Sequence, residues 1–263
     1  MTHSRGDPYL AQLLDLSGKS AVVTGAAHGI GFAISRRLTE AGARVAMIDV
    51  DDQALTKAAR ELTNGETVPV TADITDSAIL AKGIECAFPD GAPIDIWVNN
   101  AGAAPRQPLL EISAEEWERV LSLNLTASLS GAQIAAKRMI ANRTNGVIIN
   151  IVSSTVHRVS SNPAHYRASK AGLKALTENL AVDLGKYGIR AVAIAPGLTE
   201  TPQVERLRDE LGSEGFETFA RRLPLKRIGQ ADEVARAVLF AASDMASFVT
   251  GCVINVDGGE AVK

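Results

Sequence analysis

Short apolar runs typical of strands alternate with helical patterns along nearly the whole chain of 263 residues. Strands are predicted at Ala21–Thr24, Val45–Asp49, Val68–Thr71, Ile94–Asn99, Gly146–Val152, Arg190–Ala195 and Cys252–Val256. Helices are predicted at Ile30–Ala41, Gln53–Leu62, Ser77–Phe88, Glu115–Ile140, Tyr166–Tyr187 and Ala231–Ser243. Because strands joined through helices run parallel and are covered on both faces, this alternation predicts an α/β fold with a doubly wound parallel sheet. No linker divides the chain, so we expect a single domain over residues 17–263, preceded by an N-terminal arm of residues 1–16.

The first strand, helix and second strand enclose a glycine-rich turn, residues 24–31, with glycines at Gly25, Gly29 and Gly31. Glycines in such a turn let the backbone approach a pyrophosphate at the N-terminus of the following helix, where amide N–H groups are free. A glycine turn alone can also serve backbone geometry. The second strand ends in an acid, Asp49, and that combination favours nucleotide binding.

Tyr166 and Lys170 lie four residues apart on a predicted helix, and Ser153 precedes Tyr166 by thirteen residues. Positions i and i+4 share one helix face, so the phenol and the ammonium can act together. A phenol has a pKa of about 10, and a nearby positive charge lowers it. A tyrosine adjusted in this way can exchange a proton with an alcohol. A lone Tyr–Lys pair also occurs on ordinary helix surfaces, so its meaning depends on the motifs around it.

Taken together, these motifs resemble the short-chain dehydrogenase/reductase family in its single-domain branch. The matching segments follow the order and spacing of that family: Thr24-Gly25-x-x-x-Gly29-x-Gly31, Asp49, Asp73-Ile74, Asn99-Asn100-Ala101-Gly102, Asn124, Ser153, Tyr166-x-x-x-Lys170, Pro196-Gly197-x-x-x-Thr201 and Val256-Asp257-Gly258-Gly259.

The resemblance implies four catalytic residues. Tyr166 is expected to act as general acid/base, and Lys170 to lower the pKa of Tyr166 and to bind the nicotinamide ribose. Ser153 is expected to donate a hydrogen bond to the substrate oxygen, where charge develops. Asn124 is expected to hold a water molecule in a proton relay to Lys170; the alternative is a buried asparagine that bonds backbone groups.

The same resemblance implies a set of NAD-binding residues: Gly25, His28, Gly29, Ile30, Gly31, Asp49, Asp73, Ile74, Asn100, Gly102, Tyr166, Lys170, Pro196, Gly197, Thr199 and Thr201. Asp49 can accept from the adenosine ribose hydroxyls and would repel a 2′-phosphate, so NAD is expected rather than NADP. Arg44 lies too far back on the strand to offset that repulsion, and His28 is mostly neutral near pH 7.

Net charge and the distribution of apolar residues indicate which kinds of partner to expect. The net charge of −3 gives no reason to expect a nucleic acid or an anionic membrane. No apolar stretch is long enough to cross a bilayer and the N-terminus lacks a signal-peptide core, so we expect a cytoplasmic protein. Neither His157 nor His165 has a carboxylate or cysteine at ligand spacing, so no metal site is predicted.

The two long predicted helices, Glu115–Ile140 and Tyr166–Tyr187, carry apolar residues on more than one face: Leu121, Leu125, Leu129, Leu173, Leu176 and Leu180. Family members pair these helices in homodimers or homotetramers, so the resemblance implies the same here.

Three functions are compatible with these features. The first is an NAD-dependent dehydrogenase of a secondary alcohol, a polyol, a sugar or a hydroxylated ring, interconverted with its ketone. The second is a reductase of 3-oxoacyl thioesters, against which Asp49 argues because reductive biosynthesis generally uses NADPH. The third is an NAD-binding protein without catalysis. Polar groups in residues 154–165, with Arg106 and Gln107, favour a small polar alcohol. A lid over about residues 200–223, hinged at Gly212 and Gly215, is expected to select the substrate.

Overall fold

A computed structural model describes residues 9–157 and 164–262, and in this part of the chain seven strands form one parallel sheet. They are β1 (Ser20–Thr24), β2 (Arg44–Asp49), β3 (Thr67–Thr71), β4 (Ile96–Asn99), β5 (Val147–Ile151), β6 (Arg190–Pro196) and, after two short strands, β9 (Val253–Val256). Their order is β3-β2-β1-β4-β5-β6-β9. The short strands β7 (Thr199–Glu200) and β8 (Gly229–Gln230) pair with each other in a second sheet.

Helices cover both faces of the larger sheet. In the described residues they are α1 (Leu10–Leu13), α2 (Gly29–Glu40), α3 (Asp52–Glu61), α4 (Ser77–Ala87), α5 (Ala114–Leu121), α6 (Ala127–Asn142), α7 (Ala164–Leu184), α8 (Pro202–Arg222) and α9 (Ala231–Ala242). A π-helical turn, Ser122–Thr126, joins α5 to α6. Single 3₁₀ turns lie at Leu109–Glu111, Ser154–Val156, Gly185–Tyr187, Asp244–Ala246 and Glu260–Val262.

Successive side chains of the central strands enter different cores, because neighbouring residues of a strand point to opposite faces. Ala21 and Val23 of β1 pack with α2, α3 and α9, whereas Val22 between them packs with α4 and α6. Trp97 on β4 is fully buried in the second of these cores. This two-sided burial explains why the strands read as continuous apolar runs in the sequence.

The fold therefore confirms the predicted α/β architecture and the single doubly wound domain. The seven predicted strands and five of the six predicted helices are present, with boundaries shifted by one or two residues at most ends. The prediction of one continuous helix over Glu115–Ile140 was wrong, since the π-helical turn interrupts it around Asn124. Short strands β7 and β8 were not predicted, because two residues carry no periodicity.

The predicted arm and the predicted lid are only partly described. Leu16, at the end of the arm, is buried, and its N–H donates to the Ala41 carbonyl at 2.8 Å; residues 1–8 lie outside the described residues. The segment predicted to be a lid contains α8, which is broken at Gly212, one of the two predicted hinge residues. No helix among the described residues is both long and apolar enough to cross a membrane.

Candidate active site

The predicted site residues meet at the carboxyl-terminal edge of the sheet. Strands β1 and β4 lie side by side, but the chain proceeds from β1 outward to β2 and β3, and from β4 outward to β5, β6 and β9. The loops after β1 and β4 therefore diverge and leave a crevice between them, the usual ligand position in doubly wound sheets.

The glycine turn lies at this crevice and is held by the end of β4. A Cβ atom on Gly31 would lie 2.0 Å from the Gly25 carbonyl oxygen, so only glycine fits. Asn100 Nδ2 donates to the carbonyls of Thr24 at 2.9 Å and Gly25 at 3.1 Å. The side chain of Asn100 thus supports the turn itself.

Helix α2 begins at this turn without a side-chain cap on its first N–H groups. The neighbouring helices α3, α4 and α5 are each capped by a side chain, from Asp51, Asp76 and Ser113 respectively. Free N–H groups and the positive end of the helix dipole together suit a phosphate group. The residues present therefore fit the pyrophosphate of a dinucleotide.

Two acidic residues border the crevice on the β2 and β3 side. Asp49 ends β2 and is partly buried; its Oδ2 accepts from the Ala27 N–H at 3.0 Å and its Oδ1 from the Asp51 N–H at 3.2 Å. Its carboxylate is thereby fixed beside the glycine turn. Asp73 is exposed and accepts from the N–H of Thr75 at 2.9 Å and from its hydroxyl at 2.7 Å, whereas Ile74 is buried.

Ser153 and Tyr166 are neighbours on the other side of the crevice, close enough for Ser153 to affect the pKa of Tyr166. Ser153 follows β5 and is buried, and its Oγ accepts from the Thr155 N–H at 3.3 Å. Burial raises the pKa of Tyr166 above its usual value, while the Ser153 side chain lowers it. The two side chains predicted to touch the reacting oxygen are therefore adjacent.

Lys170 lies behind Tyr166 rather than on its hydroxyl. Its Nζ is 5.9 Å from the centre of the Tyr166 ring and donates to the Ile151 carbonyl at 2.8 Å. Burial lowers the pKa of Lys170 to about 8. Burial sets the direction of the Tyr166 pKa in this geometry, and the expected lowering by Lys170 stays a prediction.

Asn124 is completely buried in the π-helical turn, and its side-chain amide is fully used. Its Oδ1 accepts from the Ala103 N–H at 2.9 Å, and its Nδ2 donates to the Ala103 carbonyl at 2.9 Å and to Ser169 Oγ at 3.0 Å. These contacts match the alternative expectation, an asparagine that bonds backbone groups. Gly102 lies close by, since a Cβ there would be 3.0 Å from Asn124 Oδ1 and 3.4 Å from Lys170 Nζ.

The loop after β6 closes the crevice from the opposite side. Pro196 is buried, and the Gly197 N–H donates to the Val256 carbonyl at 3.0 Å. Thr199 Oγ1 donates to the Gly197 carbonyl at 3.0 Å, and Thr201 caps α8. A Cβ on Gly29 would lie 3.2 Å from Thr201 Cγ2, so Thr201 lies against the glycine turn. The structure thus brings together two loops that were both predicted to bind the cofactor.

Two features near Ser153 were not foreseen. Ser154 Oγ donates to Glu260 Oε2 at 2.9 Å, and Glu260 is buried. The only sequence signal is an acid directly after Gly258-Gly259, and its spacing gives no link to Ser154. His165 is fully buried, so neither Ser154 nor His165 offers the substrate the free polar group that the sequence suggested. His157 is exposed, and residues 158–163 lie outside the described residues.

No cluster of three or more His, Cys, Asp or Glu side chains that could hold a metal ion occurs within residues 9–157 and 164–262.

Comparisons with known proteins extend along nearly the whole chain. The family model described as enoyl-(acyl carrier protein) reductase matches residues 25–260. The chain is 38% identical to 3beta-hydroxysteroid dehydrogenase 1 of Eggerthella lenta, over 93% of this chain and 94% of the relative. It is 37% identical to a 3-oxoacyl-(acyl-carrier-protein) reductase of Thermotoga maritima, over 93% of this chain and 98% of the relative. The crystal structure of a gluconate 5-dehydrogenase from Burkholderia cenocepacia, in complex with NADP and tartrate, superposes with a TM-score of 0.89 at 32% identity, covering 97% of this chain and 100% of that one.

Proposed function

Because the chain belongs to the short-chain dehydrogenase/reductase family, we propose that it is an NAD-dependent dehydrogenase that interconverts a small polar secondary alcohol and its ketone. Membership of the family makes it an oxidoreductase that binds a nucleotide cofactor. One observation supports the proposal of an NAD-dependent alcohol dehydrogenase most directly. Ser153, Tyr166 and Lys170 lie in the same crevice as Asp49 and the uncapped start of α2.

The proposed chemistry assigns one task to each side chain. A bound nicotinamide nucleotide would accept the hydride that leaves the alcohol carbon of the substrate. Ser153 holds the substrate oxygen, and the Tyr166 hydroxyl removes or returns the proton at that oxygen. Lys170 contributes a positive charge 5.9 Å from the centre of the Tyr166 ring and is expected to bind the ribose of the nucleotide. Asn124 keeps the loop at Ala103 and the helix at Ser169 in place.

The preference for NAD rests on Asp49. Its carboxylate stands at the end of β2, where it can accept from ribose hydroxyls but would repel a 2′-phosphate. The solved structure from Burkholderia cenocepacia holds NADP, so the proposal of NAD for this chain depends on Asp49 rather than on that structure.

The choice of substrate rests on polar groups at the mouth of the crevice and on relatives. His157, Arg106 and Gln107 are exposed, and the family resemblance is what assigns them to this mouth. A hydroxylated substrate can hydrogen-bond with polar groups that it shields from water, whereas an aliphatic one cannot. Relatives that act on a hydroxysteroid and on gluconate support a hydroxylated ring, sugar or polyol. A reductase of 3-oxoacyl thioesters is the second candidate, favoured by the relative from Thermotoga maritima.

A paired assay separates these two candidates. The assay compares two groups of substrates: polyols, sugars and hydroxylated rings with NAD, and 3-oxoacyl thioesters and aliphatic alcohols. The absorbance of the reduced cofactor measures the rate with each substrate. We expect the highest kcat/KM with a polar secondary alcohol and NAD. Tyr166→Phe should lower kcat by roughly a hundredfold or more, because it removes the proton carrier, while NADH still binds. A higher kcat/KM for an acyl thioester would overturn the substrate class, and an active Tyr166→Phe enzyme would overturn the role of Tyr166.

A further inference from the structure

His165, the residue before Tyr166, uses its imidazole to hold the backbone of Tyr166. Its ring is fully buried, and its Nδ1 accepts from the Tyr166 N–H at 2.9 Å. Helix α7 begins at Ala164, so this N–H belongs to the first turn, where a helix offers no carbonyl acceptor of its own. The neighbouring side chain supplies the acceptor that the helix lacks.

The carbonyl of Tyr166 is held as well. It accepts from Ser169 Oγ at 2.7 Å, and Ser169 Oγ in turn accepts from Asn124 Nδ2 at 3.0 Å. Side chains therefore fix both peptide groups that flank the Tyr166 Cα. Because the phenol projects from this Cα, the two contacts together determine where its hydroxyl lies relative to Ser153.

The contact with Tyr166 also defines the tautomer of His165. Nδ1 can accept a hydrogen bond only when it carries no proton, so the ring proton must be on Nε2. Among the described residues Nε2 has no hydrogen-bond partner, and it lies 4.0 Å from Glu116 Oε1 on α5. The hydrogen bond from Arg119 lowers the pKa of Glu116, so this carboxylate is negative and favours an N–H directed towards it.

We infer that His165 is a positioning residue for the reaction: its Nδ1 sets the backbone of Tyr166 and thereby the distance between the phenol and Ser153. This inference rests on the proposed role of Tyr166 as proton carrier. His165 itself does not reach the substrate, because its ring is enclosed and both nitrogens face protein groups.

A matched pair of substitutions tests the acceptor. In His165→Asn the side-chain oxygen can take the place of Nδ1, whereas His165→Leu has the same branching and no acceptor. With the best secondary alcohol of the assay above, His165→Leu should lower kcat by roughly tenfold, the scale of one lost hydrogen bond to a buried donor. His165→Asn should retain kcat within about threefold, and the Kd for NADH should change by less than about threefold in both. Equal kcat values for the two variants would overturn the inference.

A second measurement does not depend on activity. The ¹⁵N resonances of the imidazoles in the unsubstituted protein report the tautomer of each of its four histidines. We expect one buried histidine with its proton on Nε2, assigned to His165 by its loss in His165→Asn. A proton on Nδ1 would overturn the inference even if Tyr166→Phe is inactive, and an active Tyr166→Phe enzyme would overturn the proposed function while leaving the tautomer measurable.

Discussion

Lys170 destabilises the fold as a consequence of its position. It is 4% exposed, with the Ile151 carbonyl at 2.8 Å, and burial lowers its pKa from 10.5 to about 8. Between these two values the folded state binds fewer protons than the unfolded state, so the contribution of Lys170 to stability rises with pH across that window. Below it, the charged form costs on the order of 3 kcal/mol.

Lys170→Met should therefore stabilise the inactive protein near neutral pH. We expect a gain of about 2 kcal/mol in the free energy of unfolding, after about 1 kcal/mol for leaving the Ile151 carbonyl unbonded. The gain should shrink as the pH rises towards about 10, where the wild-type lysine is neutral in the folded protein. Urea unfolding of both proteins at the two pH values measures this difference, and a gain independent of pH would contradict it.

Asp49 provides the second test at the scale of single residues. Asp49→Ser removes the charge that would repel a 2′-phosphate, so the ratio of kcat/KM for NAD to that for NADP should fall at least about tenfold. NAD should also bind more weakly, because its ribose hydroxyls lose a carboxylate acceptor.

Asp51→Ser is the matched control for this substitution. It removes one negative charge two residues further along, and a serine can still cap α3. The cofactor ratio should remain within about twofold of the wild-type ratio. An equal effect of the two substitutions would show that net charge near α3, rather than the position of Asp49, decides the choice of cofactor.

At the scale of elements, α8 is the segment whose shape depends on one glycine. Gly212 has φ 69° and ψ 161°, a conformation that is essentially restricted to glycine. Arg208 before the break lies 4.6 Å over the ring of Phe216 after it, and it pairs with Glu200 at 3.0 Å. The break thus folds two short helices against each other beside Thr201.

Gly212→Ala should disturb this segment without a steric clash, since no atom lies within 4 Å of the added Cβ. Backbone strain of about 1–3 kcal/mol should raise KM for substrate roughly fivefold or more if the segment acts as a lid. Gly185→Ala is the control, because its Cβ also meets open space and its φ is not positive. Unchanged steady-state kinetics in Gly212→Ala would argue against a lid at α8.

At the scale of the whole molecule, α6 and α7 present apolar side chains to solvent. Of the six leucines named from the sequence, Leu173 belongs to the core, whereas Leu129 is 37% exposed; Val182 on α7 is 80% exposed. We propose that these helices pair in a homodimer or homotetramer. Light scattering at micromolar concentration should give a multiple of 27.7 kDa. Val182→Arg should reduce the mass measured by light scattering. Ile79→Arg, at a site 48% exposed on α4, should leave that mass unchanged. A monomeric wild-type protein would contradict the proposal.

Sequence reasoning reached the fold and the neighbourhood of the site through local patterns. The glycine turn, Asp49 and the four-residue spacing of Tyr166 and Lys170 are each readable within a short window, because strand and helix periodicities fix which side chains share a face. It failed where a pattern was locally ambiguous, as at Asn124. Nothing in the residues around Asn124 distinguishes an α-helix from a π-helical turn, and Ala103 and Ser169, which bond its side chain, lie far away in the chain.

The sequence by itself determined the parallel sheet, the crevice and the family, because alternation of elements and spacing within motifs are properties of the chain alone. Only the tertiary structure decided how the groups in the crevice are tuned. The pKa of Tyr166 is raised because burial outweighs the effect of Ser153, the Ser154 hydroxyl bonds to Glu260, and His165 faces the backbone of Tyr166. Burial and contacts between distant residues exist only once the chain is folded, and they act on charges and hydrogen bonds more strongly than neighbours in sequence do.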